Sequence, residues 1–200
     1  MKLFFADTET TGLDPRIHEV FQFSFIIEID GEVVEEADIK MRPERPDEAS
    51  PEALKVTNKT IKELLTYPER GAAFKKLTGI LGRHVDRFDR ADKLLWVGQN
   101  PSFDMPFVRA FFREQGDKFF GAWWDNRPAD LISLGVAMKM RGRIDPENFK
   151  LGTLCEAFGV PLKAHDALED VRATRAVFHK MLDFIPEAGK GSSQLTFDIG

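Results

Sequence analysis

The sequence predicts a single α/β domain built over a mixed central β-sheet flanked by helices, and three observations carry that expectation. Short apolar runs suited to buried strands stand at 3–6 and 94–98. An alternating stretch at 19–29 turns through Asp30-Gly31 into a second one that continues to Met41, the pattern of a hairpin. Segments of helical periodicity occupy most of the chain between and after these strands. The 200 residues allow one generous domain, or one domain and a tail. With 42% apolar, 30% charged and 11% aromatic residues, the composition supports a sizeable core and excludes global disorder.

Taken in order, residues 3–6 form a buried strand that opens onto the polar run Asp7-Thr8-Glu9-Thr10-Thr11-Gly12. Arg42 to Pro51 is a proline-rich loop, and the chain from there to about residue 86 is helical, with Tyr67-Pro68 as its break. After the strand at 94–98, Gln99-Asn100-Pro101 leads into a helix from Ser102 to about Gln115, stopped by Gly116. Leu131–Met140 and Leu151–Phe158 are helices on either side of a basic loop. A final helix runs from about Asp166 to Ile185, with Val171, Phe178, Leu182 and Ile185 at helical spacing. The folded domain is therefore expected to span 1–186. Residues 187–200, which include Gly189-Lys190-Gly191-Ser192-Ser193, are expected to form a flexible tail.

Composition narrows the function classes. A formal net charge of −5 argues against a protein that grips duplex nucleic acid through a broad basic face. The single cysteine, Cys155, can form neither an internal disulfide nor a zinc site alone, and reads as a buried small hydrophobe in a reduced, intracellular chain. Met1-Lys2-Leu3-Phe4-Phe5-Ala6-Asp7 is too short and too soon acidic for a signal peptide, and nothing approaches a membrane-spanning apolar run. The expectation is a soluble, cytoplasmic protein with no membrane contact.

Four carboxylates stand where local geometry aims them at one place. Asp7 and Glu9 are two apart at the end of the first strand and so share a face. Asp104 falls in the first turn of the helix after the second buried strand, where an acid suits the dipole. Asp170 lies near the start of the final helix. There Asp166-Ala167-Leu168-Glu169 fits an N-cap acid with a glutamate three residues on, which makes His165 and Asp170 the pair that meets across the helix entry. Two like charges at about 4 Å repel by about 4 kcal/mol at an effective dielectric near 20, so such a cluster calls for cations. Oxygen-only ligands suit Mg²⁺ or Mn²⁺. Two such ions can clamp the attacking and leaving oxygens of a phosphodiester, while His165 can take a proton from water at neutral pH.

Asp7-Thr8-Glu9-Thr10-Thr11-Gly12-Leu13, Asn100-Pro101-Ser102-Phe103-Asp104 and His165-Asp166-Ala167-Leu168-Glu169-Asp170 resemble, in order, the three motifs of the DEDDh (DnaQ-like) 3′→5′ exonucleases. That family includes the proofreading subunit of bacterial replicative polymerase, RNase T and oligoribonuclease. The resemblance covers about residues 1–185 and implies a ribonuclease H-like fold, a single-stranded nucleic acid 3′ end as substrate, a role in DNA repair or replication or in RNA turnover, and 5′-nucleotides as products. Carried over by position, it implies that Asp7, Glu9 and Asp170 hold the metal that activates water, that Asp7 and Asp104 hold a second metal, and that His165 is the general base. It also implies that Leu13 and Phe103 wedge and stack the terminal base, with Thr8, Thr10 and Asn100 as neighbouring substrate contacts. The chain departs from the common pattern at Gln99 and Pro101, where many members carry His and Ala.

Two other readings stay open. Asp7-Thr8-Glu9-Thr10-Thr11 superficially resembles the D-x-D-x-T motif of haloacid dehalogenase-class phosphatases, although that class needs Asp where Glu9 stands. A non-catalytic module that binds nucleic-acid ends could also keep the fold, although it would not be expected to retain all five side chains. Lys139, Arg141, Arg143 and Lys150 form a basic stretch equally suited to phosphate contact or to solvent. Trp123-Trp124 and Phe119-Phe120 read as core or lid. Gln194-Leu195-Thr196-Phe197 loosely resembles peptides that dock on bacterial sliding clamps, which makes a clamp or polymerase contact the partner expected of the tail.

Overall fold

The computed structural model describes residues 1–162 and 167–185. Its centre is a five-stranded sheet in the order β3-β2-β1-β4-β5, with β1 at Lys2–Thr10, β2 at Val20–Ile29, β3 at Glu32–Lys40, β4 at Leu95–Gly98 and β5 at Ala129–Asp130. The first three strands form an antiparallel meander, and β4 and β5 join parallel to β1. The mixed sheet flanked by helices is the α/β, ribonuclease H-like arrangement expected. Asp30 (φ 52°) and Gly31 (φ 90°) both turn left-handed between β2 and β3, as a two-residue hairpin loop requires. β1 runs on past residue 6 and carries the acidic run inside the strand, whereas β5, two residues long, leaves no periodicity to detect.

Among the described residues there are seven α-helices: α1 at Pro51–Val56, α2 at Ile61–Leu64, α3 at Arg70–His84, α4 at Pro101–Glu114, α5 at Leu131–Met140, α6 at Leu151–Phe158 and α7 at Ala167–Leu182. The helical stretch after Pro51 breaks twice rather than once. Asn58 adopts a left-handed φ of 52°, and Thr60 then caps α2 by accepting from the Glu63 amide at 3.2 Å. The final helix ends at Leu182, three residues short of the expected Ile185, in a tight turn closed by Ile185 N–H on Leu182 O. Its expected cap, with His165 and Asp166, lies outside the described residues, as does the tail at 187–200. Among the described residues no helix is long and apolar enough to cross a membrane.

Alternation along β1 divides the core. Phe4 and Ala6 join the layer beneath α3 and α4, while Leu3 and Phe5 join the layer beneath α5, α6 and α7. Both faces are covered, which is why the strand reads as a continuous apolar run rather than an alternating one. Phe4 stacks 4.9 Å from Phe25 and lies 5.1 Å from Trp96 and 5.4 Å from Trp124. Each such ring contributes about 1.5–3 kcal/mol through burial. Trp123, Trp124 and Phe120 are core, whereas Phe119 is exposed beneath the Arg87 guanidinium. Cys155 is buried, and burial pushes its thiol up to about 11, the state of a packing residue rather than a nucleophile. The same two-residue period that sets Leu3 and Phe5 against α7 aims Asp7 and Glu9 along that face.

One buried ion network fastens the strands to the helices. Glu19 and Arg70 are each 2% exposed and form an ion pair at 3.6 Å. Arg70 also donates to Val20 O at 2.9 Å and to Glu114 at 2.8 Å. The Glu19 carboxylate accepts from the Arg45 amide at 2.7 Å, and the Arg45 side chain returns to Glu114 at 2.8 Å. Removing one partner of a buried pair strands the other. Arg70→Ala should therefore lower unfolding free energy by about 3–5 kcal/mol in urea titration; a loss below about 1 kcal/mol would show that water replaces the guanidinium without penalty.

Candidate active site

Asp7 and Glu9 sit on β1, Asp104 in the first turn of α4 and Asp170 in the first turn of α7. Three elements distant in sequence thus deliver four carboxylates to one end of β1. Asp104 is 4% exposed, and its Oδ1 accepts from the Thr8 amide at 3.0 Å and from the Thr8 hydroxyl at 2.6 Å. That double bond sets the side-chain rotamer and locks α4 to β1.

The electrostatics follow from burial without balancing cations. Burial pushes the Asp7 carboxyl well above its ordinary range, and the charges of Asp104, Glu9 and Asp170 push the same way. Glu9 is raised to about 7 by burial and by Asp170 and Asp104, with Lys59 pulling weakly downward. Asp104 is raised to about 6 by burial, with the two Thr8 hydrogen bonds opposing. An acid outside the cluster shows the contrast: half-buried Asp14, held by the Arg16 guanidinium, falls to about 2.

The donor set is all oxygen and anionic, which fits a hard divalent cation. Among the described residues no three metal-binding side chains form a ready-made cage. An open set of acids facing a cleft is what Mg²⁺ uses, since it keeps waters and takes substrate phosphate oxygens as ligands.

The other expected contacts divide into two groups. Leu13 stands 80% exposed at the tip of a tightly tied loop. Thr11 N–H donates to Glu19 O at 2.8 Å, Ser50 N–H donates to Thr11 O at 2.7 Å, and Asp14 N–H donates to His18 Nδ1 at 3.1 Å. Gly12 is required there, because a Cβ would fall 2.1 Å from the His18 ring. Phe103 is half-buried against Phe107 at 5.1 Å. Asn100 is exposed and left-handed (φ 66°), with its amide donating to Asp130 Oδ1 at 3.0 Å. The hydroxyls of Thr8 and Thr10, by contrast, are turned inward: the first is spent on Asp104 and the second on Gly12 O at 2.7 Å. Their place is behind the site, holding Asp104 and the Leu13 loop. Gln99, at one departure from the family pattern, donates to Phe149 O at 3.1 Å, and Pro101 opens α4 where its missing N–H costs nothing.

Sequence reading missed the Thr8–Asp104 clamp, Asp130 and Lys59. No local spacing can reveal a bond across 96 positions, and Lys59 lies in the short polar loop between α1 and α2, where nothing in the sequence marks it.

A family model for the exonuclease (RNase T) family matches residues 4–178. A PolC-type DNA polymerase III of Thermotoga petrophila is 26% identical over 185 residues, 92% of this chain and 12% of that protein. The equivalent protein of Latilactobacillus sakei is 29% identical over 88% of this chain and 11% of its own length. Among solved structures, E. coli exonuclease I in complex with a dT13 oligonucleotide superposes with a TM-score of 0.76 at 23% identity, covering 92% of this chain and 41% of that one. Exonuclease I from Methylocaldum szegediense gives 0.75 at 24% identity, covering 93% and 41%. The chain thus spans about an eighth of the polymerases and two-fifths of the exonuclease I chains that it matches.

Asp7, Glu9 and Asp104 all hold protons more tightly folded than unfolded. The folded state therefore binds more protons from about pH 4 up to about pH 7, and stability falls as pH rises through that window. Metal-free protein should melt about 5 °C or more higher at pH 5 than at pH 8, and Mg²⁺ should remove most of the difference. A metal-free melting temperature that climbs from pH 5 to pH 8 would contradict the cluster's electrostatics.

Proposed function

Because this chain belongs to the RNase T-type exonuclease family, we propose that it is a metal-dependent 3′→5′ exonuclease. On this reading it hydrolyses terminal phosphodiester bonds of single-stranded DNA or RNA and releases 5′-nucleotides. The observation that carries the proposal is the convergence of Asp7, Glu9 and Asp170 with Asp104, near enough that Asp104 and Asp170 raise the proton affinity of both Asp7 and Glu9. Neither alternative, a haloacid dehalogenase-class phosphatase or a non-catalytic end-binding module, finds support in the relatives, which are exonucleases and polymerases.

Asp7, Glu9 and Asp170 would hold one divalent ion, and Asp7 with Asp104 a second, Mg²⁺ or Mn²⁺ in each case. Bound there, the ions supply water activation and neutralisation of charge on the phosphodiester. The chain's own groups do the rest. Thr8 keeps Asp104 fixed in orientation, so that little reorganisation is needed as charge develops. His165, five residues before Asp170 in sequence, would accept the proton of the attacking water. Leu13, exposed on its braced loop, would wedge against the terminal base. Phe103 would stack on it with about 1–3 kcal/mol of sequence-tolerant energy. Exposed Asn100 would contact the strand beside them.

The relatives suggest a setting. Exonuclease I was solved with a dT13 oligonucleotide, and the PolC-type proteins are DNA polymerases by name, so a cytoplasmic role on DNA 3′ ends in replication or repair fits. The segment Gln194-Leu195-Thr196-Phe197 would then supply a clamp or polymerase contact, separate from the domain at 1–186.

A 5′-labelled single strand of DNA or RNA should yield a descending ladder with Mg²⁺ or Mn²⁺ and none with EDTA. Asp7→Ala and His165→Ala should each lower turnover at least ~100-fold, the scale of an acid–base group; full activity in either overturns the assigned roles. Deleting residues 190–200 should abolish sliding-clamp capture in a pull-down while leaving the ladder intact, and equal capture by the truncated chain would remove the tail from the account.

A further inference from the structure

A cavity of about 160 Å³ opens beside Glu9. Its floor is a cross-strand row, because Glu9 pairs with Gln22 across β1 and β2, and Gln22 pairs with Lys40 across β2 and β3. Asp38, two residues before Lys40 and so on the same face, joins it, and Thr57 and Lys59 close it from the loop after α1. Two ammonium groups therefore border a space that begins at a carboxylate of the proposed catalytic set.

Both ammoniums have donors to spare. Lys59 Nζ gives one hydrogen bond, to Glu63 at 2.6 Å, and Tyr67 O–H steadies the same carboxylate oxygen at 3.0 Å. Lys40 Nζ lies 3.8 Å from Asp38 Oδ2, beyond hydrogen-bond length. Asp38 itself is committed sideways, its Oδ1 accepting from Gln22 at 2.9 Å and Ser24 at 2.8 Å. With three donors on each lysine, the wall is held in place yet able to bind an incoming anion. Once Glu9 is engaged by a cation, Asp38 alone opposes the two lysines among the lining charges.

Size restricts the occupant. Sites that enclose whole small molecules measure about 300–1,000 Å³, so this cavity admits a substituent rather than a nucleoside. An enzyme that shortens a strand from its end must seat the last sugar against a wall, and the wall beside the catalytic acids is this one. Resting on the exonuclease reading, we propose that the cavity receives the 3′-terminal substituent of the strand, and that Lys40 and Lys59 make it accept a 3′-phosphate as well as a 3′-hydroxyl. Lysine serves phosphate as a point charge that needs no fixed approach angle, which suits a group at a freely rotating chain end.

The test compares two fluorescent single-stranded DNA oligonucleotides, identical except for a 3′-hydroxyl or a 3′-phosphate. Binding is read by anisotropy with Ca²⁺ in place of Mg²⁺, and cleavage is read separately with Mg²⁺. The wild-type chain should bind the phosphorylated strand at least as tightly as the hydroxyl strand. Lys40→Gln and Lys59→Gln, which keep the aliphatic stems, should each shift the ratio of the two affinities about tenfold toward the hydroxyl strand, one lost charge-assisted contact, and Lys40→Arg should restore it. A wild-type chain that binds the phosphorylated strand more weakly, or ratios within about twofold of wild type in both variants, overturns the proposal. Failure to cleave the hydroxyl strand would instead overturn the exonuclease reading, since the binding ratio is measured without turnover.

Discussion

Four carboxylates must be held together against their own repulsion, and the architecture around β1 is arranged to do so. Nothing local favours the cluster. Burial and mutual charge both oppose ionisation of Asp7 and Glu9, and Lys59 is the cation whose field reaches Glu9. The acids stay in place because each is anchored through an element secured elsewhere. β1 is clamped between β2 and β4 with Phe4 and Phe5 fully buried, α4 is tied to β1 by Thr8, and α7 packs Val171, Val177 and Phe178 into the opposite layer. Apolar packing supplies the free energy that the cluster dissipates, a division expected where function needs a strained group.

The Glu19–Arg70–Glu114–Arg45 network is the counterpart of that cluster. There, too, charges are buried, but carboxylates alternate with guanidiniums at 2.8–3.6 Å, so the set is internally balanced. Its position matters as much as its balance. Glu19 pairs through its backbone with Thr11, two residues from Leu13, and its carboxylate holds the amides of Glu44 and Arg45. The exposed leucine therefore projects from a loop whose root is fixed by buried ions. A fixed root of this kind would serve the wedge role proposed for Leu13, because a flexible loop would lose a base contact to entropy.

Most of the fold was legible because both of its periodicities were strong. The apolar run at 3–6, the Asp30-Gly31 turn and the helix opened by Pro101 all appear where local chemistry put them. Misplacements occurred where tertiary contacts outweigh local pattern. β1 continues to Thr10 because β2 supplies partners for polar residues that would not extend a strand alone. Asn58 breaks a stretch whose composition still suits a helix, and β5 exists only through two pairings with β4. The acids of the site were legible as motifs. Thr8 and Thr10 read as substrate contacts, but their inward hydroxyl bonds were not legible, and Lys59 escaped because it comes beside Glu9 only through the fold.

The net charge of −5 argues against a broad basic face for duplex nucleic acid, but it does not exclude a local contact with an anionic strand end. Charges act at full strength only within a Debye length, about 8 Å at physiological salt, so a strand end entering the cleft responds to what lies within that radius and not to the sum over the surface. Discounting the four clustered acids brings the chain close to neutral, and among the described residues Lys40 and Lys59 line the cavity beside Glu9. Some basic residues elsewhere are spent on neighbours: Lys139 on Asp145, Arg172 on Glu36 and Glu169, Arg175 on Glu28. On the exonuclease reading, Lys40 and Lys59 would draw the terminus of the strand toward the cavity beside Glu9. Such a distribution suits a protein that must recognise an end, since a long basic track would hold internal phosphates equally well and slow the release of each shortened strand.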